Sequence, residues 1–81
     1  MRVKKHILQK QFGAHVKQLR VAKGLTQIEV SSKMNKDQQS LQRVESGNVS
    51  PSLYYLFELA NGLQIDVKEL FNFEVTPSKK K

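Results

Sequence analysis

Residues 24–47 read GLTQIEVSSKMNKDQQSLQRVESG, and their pattern decides the fold. Thr26 can cap a helix while Glu29, three residues on, returns the bond, which is the spacing of a capping box. Leu25, Val30 and Met34 give that first helix a buried side. The break Asn35-Lys36-Asp37 follows, with Asp37 a second N-cap candidate. The next helix turns Leu41 and Val44 inward and carries Gln38, Gln39, Ser40, Gln42 and Arg43 outward. Gly47 is placed to stop it in a left-handed conformation. A short helix with such an exposed face is suited to hydrogen-bonding base edges in the major groove of DNA.

The charge distribution points the same way. The chain has 81 residues and a net charge of +7. Residues 1–43 carry +8, residues 44–78 carry −4, and the three final lysines add +3. A basic half containing the two-helix unit, joined to an acidic half, is the footprint of a molecule that sets one face against a polyanion. Helix-turn-helix binding of DNA is therefore the leading reading.

Outward from this unit, the chain organises as one small domain with no internal repeat. Residues 1–8 read as a basic arm, residues 9–73 as the domain, and residues 74–81 as a flexible, lysine-rich tail. A first helix is expected from about Gln9 to Lys23, with Phe12, Val16 and Leu19 on one stripe, and Gly24 ends it. Residues 47–51 form a loop, and Ser52 caps a fourth helix with the stripe Leu53, Leu56, Leu59/Ala60 and Leu63. Asp66 and Glu69 have capping-box spacing again and open a short fifth helix ending near Phe71. No segment alternates as a strand. The expectation is an all-α domain of five short helices.

At this point the chain resembles the Cro/C1-type (XRE-like) helix-turn-helix family of phage repressors and bacterial transcriptional regulators. The resemblance rests on FGAHVKQLRVAKGLTQIEV, SLQRVESG, PSLYYLFELANGL and DVKELF in family order and spacing, across residues 12–71. It implies a lambda-repressor-like domain in which Gln27 contacts a phosphate and braces the first residue of the reading helix. By the same resemblance Gln38 and Gln39 contact base edges, while Ser40, Gln42 and Arg43 meet bases or neighbouring phosphates. Asn48 presents its amide to the DNA backbone, and Arg20 and Glu45 form an internal ion pair tying the first helix to the third. Lys33 and Lys36 lie near the expected phosphate track. The chain departs from the family pattern at Asn35 and Lys36, where the turn usually has Gly and a branched apolar residue. It departs again at Ser31, which replaces Ala, at Gly62 inside the fourth helix, and at Gln64, where Gly commonly ends that helix.

Other classes find little support. There is no cysteine, and His6 and His15 have no third nitrogen or thiolate to complete a zinc site. His15 reads as a surface or half-buried helix residue. No serine has a His–Asp partner in the pattern and no glycine-rich phosphate loop occurs, so neither an enzyme nor a cofactor or small-molecule ligand is expected. No run is long and apolar enough to span a membrane, and a cytoplasmic, nucleoid-associated protein is the expectation.

The partners expected are double-stranded DNA and a second copy of the chain. Phe57 and Phe71 read as core, whereas Tyr54, Phe73 and Val75 read as a homodimer interface. Two reading helices would recognise a palindrome with half-sites about 34 Å apart. The expected function is sequence-specific regulation of transcription, as a repressor. The basic arm residues Arg2, Lys4 and Lys5 read as disordered and without function rather than as a reach into the minor groove. The alternative is an interaction module, such as an antitoxin that masks a toxin or a partner of another regulator, with DNA binding secondary.

Overall fold

The computed structural model describes residues 3–75. Four α-helices, α1 (Lys5–Ala22), α2 (Gln27–Lys33), α3 (Gln38–Glu45) and α4 (Leu53–Leu63), precede a short 3-10 helix, Val67–Phe71. The described residues contain no strand. The all-α class is as expected, but the fifth helix is a single 3-10 segment. Asp66 caps it by accepting from the Lys68 N–H at 3.3 Å.

Each α-helix after the first begins where a side-chain oxygen can satisfy a free N–H. Thr26 and Glu29 close the capping box reciprocally, at 3.0 and 2.8 Å. Asp37 caps α3 through the Ser40 N–H, and Ser52 caps α4 through the Tyr55 N–H, both at 3.1 Å. Such a cap stabilises its helix by about 1 kcal/mol. The first helix differs. It starts at Lys5 rather than near Gln9, with Lys4 at its N-cap and no side-chain cap bond. Residues 5–8 are therefore helix, not arm. Nothing in Lys5-His6-Ile7-Leu8 breaks a helix, and the charge that suggests an arm is compatible with an exposed helical turn. Met1 and Arg2, and the tail beyond Val75, lie outside the described residues.

The core joins all five segments through Val16, Val30, Leu41, Val44, Leu59, Leu63 and Leu70, none more than 2% exposed. Fully burying one such side chain contributes about 1.5–3 kcal/mol. Helix α3 is held between α1 and α2, α4 packs on α2, and the 3-10 helix closes against α4 and α1. The approach of α1 to α3 is close enough that a Cβ on Gly13 would stand 2.3 Å from the Val44 carbonyl oxygen. Gly47 ends α3 with φ +79° and sits directly on the backbone of Lys10. The same economy explains Gly62: a Cβ there would meet Met34 at 2.9 Å, so glycine lets α4 close onto the end of α2.

The remaining departures also resolve. Asn35 takes the left-handed conformation at φ 59°, and Gln64 does so at φ 60°, ending α4 as glycine would. Ser31 fits a buried site, but its hydroxyl has no hydrogen-bond partner there. Three expectations for the core fail. Leu53, Phe57 and Phe71 are 72%, 54% and 54% exposed. The stripe on α4 narrows to Leu56, Leu59, Ala60 and Leu63, the residues that are buried in the core or packed against it.

Candidate nucleic-acid interface

The turn between α2 and α3 is made by Asn35-Lys36-Asp37. Its backbone is closed by the Asn35 N–H on the Ser32 carbonyl and the Lys36 N–H on the Ser31 carbonyl, each at 3.0 Å. Left-handed Asn35 redirects the chain so that Asp37 can open α3 at once. The turn thereby presents α3 with Gln38, Gln39, Gln42 and Arg43 exposed and Leu41 and Val44 buried.

A chain of polar contacts runs from the interior to this face. Arg20 grips Glu45 with two donors, Nε to Oε2 at 2.7 Å and Nη2 to Oε1 at 3.1 Å, and its Nη1 donates to the Leu25 carbonyl at 2.8 Å. The two side chains are only 12% and 4% exposed, so the pair is largely desolvated. Glu45 Oε1 also accepts from Gln27 Nε2 at 2.9 Å, and Gln27 Oε1 accepts from Gln38 Nε2 at 3.1 Å. The carboxylate can only accept, so Gln27 must turn its amide nitrogen toward Glu45 and its oxygen toward Gln38. The direction of every bond is thus set by one buried anion. Gln38 keeps its amide oxygen and one N–H for an outside partner.

Other expected site residues have their own settings. Lys33 is exposed beside the turn. Lys36 instead meets Glu58 of α4, Nζ to Oε1 at 3.3 Å, and so acquires a role in bracing the turn that its position in the sequence does not suggest. Ser40 is half-buried; its Oγ donates to the Asp37 carbonyl at 3.2 Å and lies 3.3 Å from the Tyr55 hydroxyl. Asn48 is exposed just past α3, where its Nδ2 donates to Ser46 Oγ at 3.1 Å. The end of α3 is secured by α1, with Gln9 Nε2 on the Gly47 carbonyl at 3.1 Å and Lys10 Nζ on the Ser46 carbonyl at 3.3 Å. A cation there also complements the negative end of the helix. The bonds of Gln9, Lys10, Tyr55 and Glu58 cross 15 to 38 residues. No local pattern announces them.

A second surface is apolar. Leu53, Tyr54 and Phe57 stand out from α4, with Tyr54 74% exposed. A groove is lined by Leu8, Phe12, Leu56, Phe71, Phe73 and Val75. Phe73, expected at an interface, is half-buried within the monomer, its ring 6.2 Å from that of Phe12 and 5.1 Å from that of His15. His15 is also half-buried, and its Nε2 meets the Glu69 carbonyl at 2.7 Å. Among the described residues no cluster could hold a metal ion, and no helix is long and apolar enough to cross a membrane.

A two-helix unit presenting a braced polar helix from a closed core defines a helix-turn-helix domain. Comparison with known proteins gives the same class: residues 16–70 match the family model HTH_3, helix-turn-helix. The chain belongs to this family, the XRE-like DNA-binding transcriptional regulators. It is 38% identical over 71 residues to an uncharacterized HTH-type transcriptional regulator, y4dJ, of Sinorhizobium fredii, covering 88% of this chain and 87% of the relative. The restriction-modification controller protein C.AhdI from Aeromonas hydrophila superposes with a TM-score of 0.75 at 35% identity, covering 78% of this chain and 96% of that one. The fold is shared too with the controller C.Esp1396I, solved as a tetramer in complex with its natural 35 base-pair operator. That match has a TM-score of 0.69 at 22% identity, over 80% and 96% of the two chains.

Proposed function

We propose that the protein is a repressor that binds a palindromic operator as a homodimer, with α3 of each copy reading the major groove. The observation that carries this is the directed chain Arg20–Glu45–Gln27–Gln38. It leaves Gln38 with one donor and one acceptor side by side, the pair that matches adenine N7 and N6. Gln39, Gln42 and Arg43 extend the reading face, Arg43 being able to grip guanine with two donors. Gln27, Lys33 and Asn48 would hold the phosphates on either side, and these contacts supply affinity without sequence choice. Lys36, already facing Glu58, would add less.

The homodimer is supported by the exposed apolar side of α4. Leu53, Tyr54 and Phe57 are large apolar side chains left in water on one helix, and a separate groove edged by Phe73 and Val75 is apolar too. Two copies joined there would place two reading helices on one duplex. The likeness to C.AhdI makes control of a restriction-modification operon one fitting setting.

The test is selection from a random double-stranded DNA pool near physiological salt, followed by sequencing of the bound fraction. Enrichment of an inverted repeat with half-sites one helical turn apart is the expected result. Retention without a motif would contradict sequence reading. Failure to retain DNA would overturn the proposal in favour of a protein-binding module.

A further inference from the structure

Tyr55 is the residue of α4 that reaches the reading helix. Its hydroxyl lies 3.3 Å from Ser40 Oγ, and Ser40 Oγ lies 3.2 Å from the carbonyl oxygen of Asp37, the N-cap of α3. Only one hydrogen is available on Ser40. A backbone carbonyl is a better acceptor than a phenol oxygen, and a phenol is a better donor than an aliphatic hydroxyl. Both preferences give the same order: Tyr55 O–H donates to Ser40 Oγ, and Ser40 O–H donates to Asp37. The Ser40 N–H is spent on the Asp37 side chain as well, at 3.1 Å. What Ser40 can still offer to the outside is a lone pair.

We propose that Tyr55 is a positioning residue for sequence reading, one that fixes Ser40 as a pure acceptor on the face of α3. This rests on the reading of α3 as the major-groove helix. An acceptor at that point suits the exocyclic amino group of adenine or cytosine and opposes guanine O6 or thymine O4. Ser40 is therefore selective in spite of having a hydroxyl that, left free, would serve as either partner. Burial pushes the Tyr55 hydroxyl above its ordinary value of 10.0, so it keeps the proton it must donate across the physiological range. The neighbouring pair Lys36–Glu58 joins the same two parts of the molecule, so α4 holds both the turn and the first turn of α3. Along the sequence Tyr55 is only one of two adjacent tyrosines. In the structure Tyr54 faces solvent and Tyr55 faces α3.

The experiment compares full-length wild type, Tyr55→Phe, Ser40→Ala and the double variant in the same random-pool selection. Melting temperature is measured on each. In wild type the pair contacted by Ser40 should favour adenine or cytosine on the facing strand. Tyr55→Phe should relax preference at that one pair by roughly two- to tenfold, the range for loss of one neutral hydrogen bond, and leave the other positions unchanged. In the Ser40→Ala background the same substitution should change no base preference. A uniform loss of binding in Tyr55→Phe with every preference intact would overturn the proposal and leave Tyr55 a structural residue. A further loss of preference on adding Tyr55→Phe to Ser40→Ala would overturn it too. If wild type itself enriches no motif, the reading of α3 fails and this inference falls with it.

Discussion

The exposed face of α3 and the exposed face of α4 both stand open to solvent, yet they are built in opposite ways. On α3 two of the polar side chains are tied back to the interior: Gln38 through Gln27 to Glu45, and Ser40 through Asp37 and Tyr55. On α4, Leu53, Tyr54 and Phe57 project with their apolar surface uncovered. At Gln38 and Ser40 the first face has its orientation settled before any partner arrives, so less side-chain entropy remains to be lost there on binding. The second has contributed little to the fold, and its apolar area can stabilise only an association. In the proposed complex, recognition and assembly would thus fall on two helices that share one core.

The sharpest way to break this contrast is at the root of the α3 network. Arg20→Ala leaves Glu45 buried without its cation, a loss of about 3–5 kcal/mol for such a pair. Thermal unfolding should show a lower melting temperature, and an apolar replacement of both residues, Arg20→Met with Glu45→Leu, should recover most of it. A fully stable Arg20→Ala protein would mean that the network does not hold α3. On the other face, Phe57→Ser should leave monomer stability nearly unchanged while weakening the proposed dimer. Burial of one such ring is worth about 1.5–3 kcal/mol per copy. Sedimentation at increasing concentration separates the outcomes, and an unaltered association curve would remove α4 from the interface.

Much of this arrangement is legible along the chain because it is local. Thr26 with Glu29, Asp37 and Ser52 announce helix starts through spacing alone, and Asn35 and Gly47 take the left-handed conformations that their types permit. The Arg20–Glu45 pair follows from resemblance, and the structure places it. What is not legible depends on distant packing. Phe57 and Phe71 are aromatic and look like core, but whether such a ring is buried depends on how its segment meets its neighbours, and both stand 54% exposed. The roles of Lys36 and Tyr55 depend on α4 lying across the turn, a contact that no periodicity encodes. The start of α1 escapes the sequence because charge suggests an arm where the backbone has no reason to leave the helix.

A smaller effect sharpens the division between holding DNA and reading it. Lys33 is exposed beside the turn and would be a phosphate contact in the proposed complex. Lys33→Ala should weaken binding to all duplexes alike and reduce the slope of log affinity against log salt by about 1. Equal slopes in the two proteins would reject a phosphate contact there.

The most direct test of the central account is to measure binding of wild type and Gln38→Ala to the selected operator and to its single-base variants at one salt concentration. If Gln38 reads an adenine from its braced position, wild type should discriminate at that base pair by about 1–3 kcal/mol, and Gln38→Ala should lose this discrimination while keeping the others. If the variant retains the full base preference of wild type, the chain from Arg20 to Gln38 holds a helix but does not direct its reading.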